Sequence, residues 1–341
     1  MDWYHLARPA IFAIDPEVDH HIVANGLKLF NKTPQVLQKL FYAKKRQNLQ
    51  TTIKGITFDS PIGIAAGFDK NAEFYNSLGG LGAGFVEVGS ITKSPQAGNP
   101  KKRVFRLPED QAIINRMGLN NIGLKKAISN LQGQHHTKVG LSLAPSHGLD
   151  TQQMIDELVE DVKLSHDSAD YIALNLSCPN QAGVVSLQKT EVLLELLTKI
   201  KDLMIDEPVF CKFSSDLTVD QVLDILAETE SLMDGVILSN TSLRRKGLTS
   251  ANKDEKGGLS GKPLFASSLK LTKAVFAKYG TDLPIIFSGG IFDYHDAEQA
   301  LDAGASLVQV YTGFIYNGPS QIENINRHLS ETRVISDFKN E

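Results

Sequence analysis

The chain has 341 residues, a formal net charge of −4 and the apolar and charged content of an ordinary soluble globular protein. The slightly acidic balance gives no electrostatic support to a nucleic-acid partner. The two cysteines, Cys178 and Cys211, exclude a disulfide framework, and no Cys/His cluster has metal-ligand spacing. No apolar run reaches the length of a membrane span, and no secretory signal is visible.

Residues 1–46 differ from the rest of the chain and predict three short helices. Asp15-Pro16-Glu17 marks the start of the second helix, and Thr33-Pro34 marks the start of the third. We expect the third helix to finish at the cations Lys44-Lys45-Arg46. The apolar stripes of these helices favour a cap packed on the main domain. Helices that lie on a membrane surface are the alternative.

From residue 50 onward, strands alternate with helical patterns. Thr51–Phe58 predicts a hairpin around Gly55. Eight apolar runs follow, each ending in glycine or polar residues: Ile62–Gly67, Phe85–Thr92, Val139–Ala144, Tyr171–Cys178, Val209–Ser214, Gly235–Thr241, Pro284–Gly290 and Ser306–Gly313. This alternation predicts an α/β protein, a (β/α)8 TIM barrel over residues 47–341 with a small N-terminal helical extension. A doubly wound sheet is the alternative, but the first strand lacks the GxGxxG fingerprint.

Two connections between the predicted strands are unusually long. Lys93–Lys138 separates the second and third strands, and Arg244–Pro263 follows the sixth. Long loops in a barrel are often functional. The second one is rich in Gly, Lys and Ser, which fits either a mobile lid or a plain solvent loop.

The stretch Tyr171–Asn180 carries the most informative strand end. It begins as a buried strand and finishes in the polar residues Asn175, Ser177, Cys178 and Asn180. In parallel-strand folds the active site lies at that end. Cys178 is therefore a candidate general base, since a thiol has an ordinary pKa of about 8.5, although a buried core cysteine is the alternative. No Cys–His pair is visible, so covalent thiol catalysis is the weaker interpretation.

Other strand ends add glycines and cations. Ser288-Gly289-Gly290 and Tyr311-Thr312-Gly313 would let backbone N–H groups approach a phosphate, with tight turns as the alternative. Lys212, inside an apolar strand, needs either an electron-rich or anionic ligand or a buried salt bridge. A flavin would satisfy both features. Lys70 and Arg116 suit a small anionic heterocycle. Four amides flank them: Asn115, Asn175, Asn180 and Asn240.

These residues stand in motifs that resemble dihydroorotate dehydrogenase, in particular its quinone-dependent class 2. The motifs are AAGFDK at 65–70, NPKKRVFRLPEDQAIINRMGLNN at 99–121, NLSCPN at 175–180, SNTS at 239–242, GGLSGKPL at 257–264 and GASLVQVYTGFIYNGP at 304–319. Together they span nearly the whole chain. The segment with Asp15-Pro16-Glu17 and His20 resembles the class 2 extension that forms a quinone tunnel, which favours the membrane-surface interpretation.

The resemblance implies oxidation of dihydroorotate to orotate in pyrimidine biosynthesis, with FMN as hydride acceptor and a quinone as final acceptor. Cys178 would take the C5 proton. FMN contacts would be Ala66, Gly67, Ser90, Ser142, Asn175, Lys212, Ser239, Gly261, Gly290, Tyr311 and Thr312. Dihydroorotate contacts would be Lys70, Asn115, Arg116, Met117, Gly118, Leu119, Asn175, Asn180, Asn240 and Thr241. Quinone contacts would be His20 and Arg103.

The chain departs from the class 2 pattern at several positions. Cys178 stands where class 2 usually has Ser, as in class 1, while Ser142 replaces Asn and Leu119 replaces Phe. Residues 144–147 also replace the usual Gly-Lys-Asn-Lys stretch. We expect a monomer bound peripherally to the cytoplasmic side of the cell membrane. A class 1-like soluble enzyme using fumarate or NAD, and a divergent FMN-binding barrel with altered substrate or no turnover, are the alternatives.

Overall fold

The computed structural model describes residues 3–177 and 184–332. Over these residues the chain forms thirteen short strands. In chain order the strands are β1 (Thr51–Ile53), β2 (Ile56–Phe58), β3 (Ile62–Ile64), β4 (Phe85–Ile91), β5 (Val104–Leu107), β6 (Ala112–Asn115), β7 (Lys138–Leu143), β8 (Tyr171–Asn175), β9 (Val209–Phe213), β10 (Gly235–Leu238), β11 (Gly258–Gly261), β12 (Ile285–Ser288) and β13 (Leu307–Val310). Eight of them pair in parallel and close into a barrel in the order β3-β4-β7-β8-β9-β10-β12-β13. The predicted barrel is confirmed, with one strand in each of the eight apolar runs.

Helices surround the barrel and cover one side of its mouth. They are α1 (Trp3–Phe12), α2 (Pro16–Phe30), α3 (Pro34–Leu40), α4 (Tyr75–Gly80), α5 (Leu124–Leu131), α6 (Thr151–Ser165), α7 (Thr190–Lys201), α8 (Val219–Thr229), α9 (Phe265–Tyr279), α10 (Tyr294–Asp302), α11 (Thr312–Asn317) and α12 (Gln321–Thr332). Side-chain caps fix several starts: Asp15 accepts the N–H of Glu17, and Asp150 and Thr218 form capping boxes. Among the described residues, no helix is both long and apolar enough to cross a membrane.

The amino-terminal end of the barrel is closed by the predicted hairpin, β1 and β2. Ile53 and Phe58 of the hairpin belong to one buried apolar cluster with side chains from the barrel interior. The barrel members are Phe85, Tyr171, Ala173, Phe210, Ile237, Ile286 and Leu307. Because this end is packed with apolar side chains, the carboxyl ends of the strands are left for ligands.

The two long connections, predicted without secondary structure, build an additional antiparallel sheet in the order β11-β6-β5. In its register Asn115 pairs with Val104 on one side and with Gly258 on the other. The second long connection is therefore tied down at β11, and its neighbour Ser242 bridges to Leu259. This sheet stands beside the barrel mouth and carries the predicted substrate motif.

The third predicted helix is shorter than the sequence suggested. α3 ends at Leu40, and the chain turns at Tyr42, which has a φ of 57°. The prediction that Lys44-Lys45-Arg46 finish this helix is therefore wrong. Two of these cations instead make ion pairs, Lys45 with Asp59 at 2.5 Å and Arg46 with Glu323 at 2.6 Å.

Candidate active site

A cavity with an empty volume of about 1130 Å³ lies at the carboxyl ends of the barrel strands, and we call it the cleft. The predicted cofactor residues that line it are Ala66, Gly67, Ser90, Asn175, Lys212, Ser239, Gly261, Gly290, Tyr311 and Thr312. The predicted substrate residues that line it are Lys70, Asn115, Met117, Gly118, Leu119, Asn240 and Thr241. Cys178 and Asn180 lie outside the described residues. The structure thus brings most of the predicted set to one cavity.

A chain of hydrogen bonds orients the amides of the cleft. Asn240 donates to the Oδ1 atom of Asn175 at 3.0 Å and to the hydroxyl of Ser177 at 2.9 Å. Asn175 in turn donates to Ser90 at 2.9 Å, and Ser90 lies 2.7 Å from the Ser142 hydroxyl. Ser142 is fully buried and supports Ser90 from behind rather than lining the cleft. Amides held in this way present fixed donors and acceptors to a ligand.

Lys212 at the cleft has a buried carboxylate as its partner. Its Nζ atom lies 3.1 Å from the Oε1 atom of Glu87, a side chain with no accessible surface. Gln309 donates to the other Glu87 oxygen at 2.7 Å. The salt bridge and the ligand interpretations of Lys212 are therefore compatible, since the residue both makes the pair and lines the cleft. The sequence analysis missed Glu87, although an acid inside the apolar run Phe85–Thr92 was the same signal as Lys212.

Lys70 is held beside a buried carboxyl group. Asp69 accepts backbone N–H groups from Glu73 at 2.9 Å and Phe74 at 2.8 Å, and burial raises its pKa to about 6. The ammonium of Lys70 donates to the carbonyl of Gly67 at 2.9 Å. Burial lowers the pKa of Lys70 to about 8. Its cation is thus only weakly compensated and available to an anionic ligand.

Glycines after β12 and β13 form a narrow backbone cradle in the cleft. Gly290 has a φ of +77°, and a Cβ there would lie 2.8 Å from the backbone nitrogen of Phe265. A Cβ on Gly313 would lie 2.0 Å from the carbonyl oxygen of Ile291. The packing of neighbouring backbone therefore excludes side chains at both positions, and both glycines line the cleft.

Arg116 does not join the cleft, contrary to the predicted substrate contact. Its guanidinium lies 2.6 Å from Glu255 and 4.4 Å from the ring centre of Phe105, and it is absent from the described residues that line the cavity. Asn115 and Met117 on either side of it do line the cleft. Alternation along an extended chain gives the physical reason, because neighbouring side chains point to opposite faces.

A second cavity, which we call the tunnel, lies between the N-terminal helices and the barrel. Its empty volume is about 1580 Å³, and most of its lining is apolar. The apolar lining includes Ile11, Val23, Leu27, Phe30, Leu37, Leu40, Phe41, Phe68, Leu81, Val104, Ile113, Phe314 and Ile315. Lys70, Asn115, Met117 and Tyr311 border both cavities. The cleft and the tunnel therefore share a wall.

The tunnel contains one of the two predicted quinone contacts. His20 lines it, with its ring 5.3 Å from that of Phe68, and burial lowers the pKa of the imidazole to about 3. Arg103 is absent from the lining, since its guanidinium is occupied by Glu17 at 2.8 Å. Arg106, which the sequence analysis did not single out, takes the tunnel position and lies 2.5 Å from Asp19.

A polar cleft at the mouth of a (β/α)8 barrel, joined by one wall to an apolar tunnel, defines an α/β-barrel enzyme with one polar and one apolar ligand site. The family model described as dihydroorotate dehydrogenase matches residues 48–332. The chain belongs to the dihydroorotate dehydrogenase family.

Relatives and solved structures agree with this assignment. The chain is 40% identical to the dihydroorotate dehydrogenase (quinone) of Christiangramia forsetii, over 96% of this chain and 98% of the relative. It is 38% identical to the dihydroorotate dehydrogenase (quinone) of Idiomarina loihiensis, over 96% of this chain and the whole of that protein. The crystal structure of Eimeria tenella dihydroorotate dehydrogenase in complex with ferulenol is 35% identical, with a TM-score of 0.82, and covers 92% of this chain and 90% of that one.

Proposed function

We propose that this protein oxidises dihydroorotate to orotate in the cleft and passes the electrons to a quinone in the tunnel. One observation carries the proposal: Lys70, Asn115, Met117 and Tyr311 border both cavities, so a carrier bound in the cleft is separated from a tunnel ligand by one layer of side chains. A polar substrate and an apolar acceptor need two such adjacent sites. The quinone-type names of near full-length relatives support the choice of acceptor.

FMN is the carrier that fits the cleft best. The glycines Gly290 and Gly313 suit its phosphate, and Lys212 lines the cleft where it can contact the electron-rich edge of the ring. Ser90, Asn175 and the other predicted cofactor residues of the cleft add fixed hydrogen-bonding groups. When bound, FMN supplies the chemistry that side chains lack, since it takes up a hydride and releases electrons to a quinone.

The residues of the chain position dihydroorotate and move its proton. Lys70 offers a cation to the substrate carboxylate, and Asn175 and Asn240 hold the ring amides through their oriented donors and acceptors. Cys178 acts as general base on the C5 proton. It follows Ser177 directly in the chain, and the Ser177 hydroxyl is held by Asn240 at 2.9 Å.

We further propose that the protein acts as a monomer that docks peripherally on the cytoplasmic face of the membrane. Large apolar side chains on and next to the N-terminal helices are exposed: Val18, Ile22, Leu29, Val36, Leu40 and Tyr42. Leu29 and Tyr42 each expose 78% of their surface. Such a surface beside the tunnel would let a quinone pass from the bilayer to the cavity. Sedimentation with lipid vesicles tests this, and Leu29→Ser with Leu40→Ser should weaken it.

The absorption spectrum of the purified protein tests the function. We expect a bound flavin spectrum that bleaches on anaerobic addition of dihydroorotate and returns on addition of a short-chain quinone. Return with fumarate or NAD in place of quinone would favour the class 1-like alternative. A flavin that dihydroorotate does not bleach would contradict the proposed substrate.

A further inference from the structure

The ion pair beneath the cleft forms part of a closed polar group inside the barrel. Lys212 is 5% exposed and Glu87 is fully buried. Besides the contacts described above, the Lys212 ammonium lies 3.5 Å from the Oε1 atom of Gln309, and the Tyr171 hydroxyl donates to Glu87 at 3.4 Å. The four residues come from β4, β8, β9 and β13, and Lys212 and Gln309 reach the surface of the cleft.

The charge of Glu87 is balanced inside this group. The apolar cluster of the hairpin and barrel interior, to which Tyr171 itself belongs, lies below it and separates it from the amino-terminal end. Burial beside Glu87 raises the pKa of Tyr171 well above its ordinary value, so the phenol remains a neutral donor. Lys212 is therefore the counter-charge of Glu87 within the group. In a medium of low polarity such a pair acts strongly on any charge that develops above it.

We propose that Glu87 is a positioning residue that fixes the Lys212 ammonium under the cofactor ring and offsets part of its charge. The proposal rests on FMN being the ligand of the cleft, as proposed above. With contacts to Glu87 and Gln309, the ammonium has a third N–H to direct at the ring. An uncompensated Lys212 would favour the negative charge of a reduced ring more strongly. Glu87 thus keeps the reduction potential low, which favours transfer of electrons to a quinone.

The test is the midpoint potential of the FMN-loaded protein, measured by equilibration with a reference dye, in a cycle of Glu87→Gln and Lys212→Met. Glu87→Gln keeps the shape of the side chain and removes its charge. We expect it to raise the affinity for reduced over oxidised FMN about tenfold, which is about 30 mV for a two-electron couple. In the Lys212→Met background the same change should have no effect, because the proposed role of Glu87 is exerted through the Lys212 ammonium.

The outcomes separate this role from a structural one. An unchanged potential in Glu87→Gln would contradict the proposal, and so would an equal rise in both backgrounds, which would mean that Glu87 acts on the ring without Lys212. If Glu87→Gln does not fold, Glu87→Asp replaces it: a smaller rise supports the proposal, and a wild-type potential contradicts it. A wild-type protein that binds no FMN would instead refute the proposed cofactor.

Discussion

The cleft and the tunnel differ in the polar groups that they expose to a ligand. In the cleft, Lys70 and Lys212 line the cavity, and so do hydrogen-bonded amides such as Asn175. In the tunnel, Arg106 is paired with Asp19 within the wall, and Lys70 lies in the part of the wall that is shared with the cleft. The imidazole of His20 is kept neutral by burial. The difference indicates that the cleft is built to recognise a charged ligand and the tunnel to admit an apolar one.

Loss of the proposed general base should give the largest effect, confined to the reduction of the flavin by dihydroorotate. Cys178→Ala should slow anaerobic bleaching of the flavin by dihydroorotate about 10²- to 10⁴-fold, since this is the usual contribution of a general base. Reoxidation by quinone should keep its rate. Stopped-flow absorbance measures both half-reactions.

Cys211→Ala is the matched control for this substitution. Cys211 is fully buried in β9, and burial raises the pKa of its thiol well above the ordinary value, so the thiol stays protonated at neutral pH. Its variant should bleach at the wild-type rate. Wild-type bleaching in Cys178→Ala would refute the assignment of the base.

Filling the tunnel should impair the reaction with quinone and leave the reaction with dihydroorotate unchanged. Gly26 lines the tunnel within α2, and a Cβ there would meet no atom within 4 Å, so a Cβ can be added without a clash. Gly26→Phe should raise the KM for quinone about tenfold, the equivalent of about 1.4 kcal/mol of lost binding. Bleaching by dihydroorotate should not change. Steady-state kinetics with a short-chain quinone gives the value.

Gly26→Ala controls for the loss of a helical glycine. It should leave the kinetics alone and stabilise the protein by about 0.5–1 kcal/mol, because alanine restricts the unfolded chain more than glycine does. An unchanged quinone KM in Gly26→Phe would place the acceptor outside the tunnel.

The contents of the cleft could be predicted from sequence because strand ends are local features. The carboxyl ends of parallel strands meet at one edge, so Asn175, Lys212 and Gly290 could be grouped without knowing any long-range contact. The fold followed for the same reason, since eight apolar runs separated by helical patterns have few other arrangements.

The tunnel could not be predicted in the same detail because its walls come from segments distant in sequence. Val104 and Arg106 of β5 line the tunnel, and Arg103 does not. Alternation along a strand explains this choice, because Val104 and Arg106 share one face and Arg103 lies on the other. The sequence pattern predicts a loop over this segment, and a loop has no fixed alternation of faces. The same rule separates Arg116, which directly follows β6, from its neighbours Asn115 and Met117. The faces of Arg103, Arg106 and Arg116 follow only once β5 and β6 are known to form a hairpin.

One ion pair links the two cavities, and breaking it should affect both. Arg103 binds Glu17 of α2, and its other N–H groups hold the carbonyls of Ala97 at 2.9 Å and Asn99 at 2.8 Å. Asn99 in turn donates to the carbonyl of Arg116, which lies between Asn115 and Met117 of the cleft lining. Arg103→Met should cost about 3–5 kcal/mol of stability, as loss of one partner of a buried pair does. It should also raise the KM for both substrates.

The pair between Arg46 and Glu323 is the matched control. It also joins the N-terminal segment to the barrel, but neither residue lines the cleft or the tunnel. Arg46→Met should lower stability and leave both KM values unchanged. Equal kinetic effects in the two variants would show that the extension acts only through its overall docking. Chemical denaturation and steady-state kinetics supply the measurements.

The smallest expected effect is a difference in pH dependence between the reaction with dihydroorotate and the reaction with quinone. Lys70 has a pKa of about 8, so its cation is present below pH 8 and lost above it. The kcat/KM for dihydroorotate should fall about tenfold per pH unit well above both this pKa and the ordinary thiol pKa of about 8.5. Lys70→Arg keeps its charge to about pH 12 and should remove the falling limb. His20, with a pKa of about 3, stays neutral from pH 5 to 9, so it should not make the kcat/KM for quinone depend on pH in this range. A falling limb that persists in Lys70→Arg would assign it to another group.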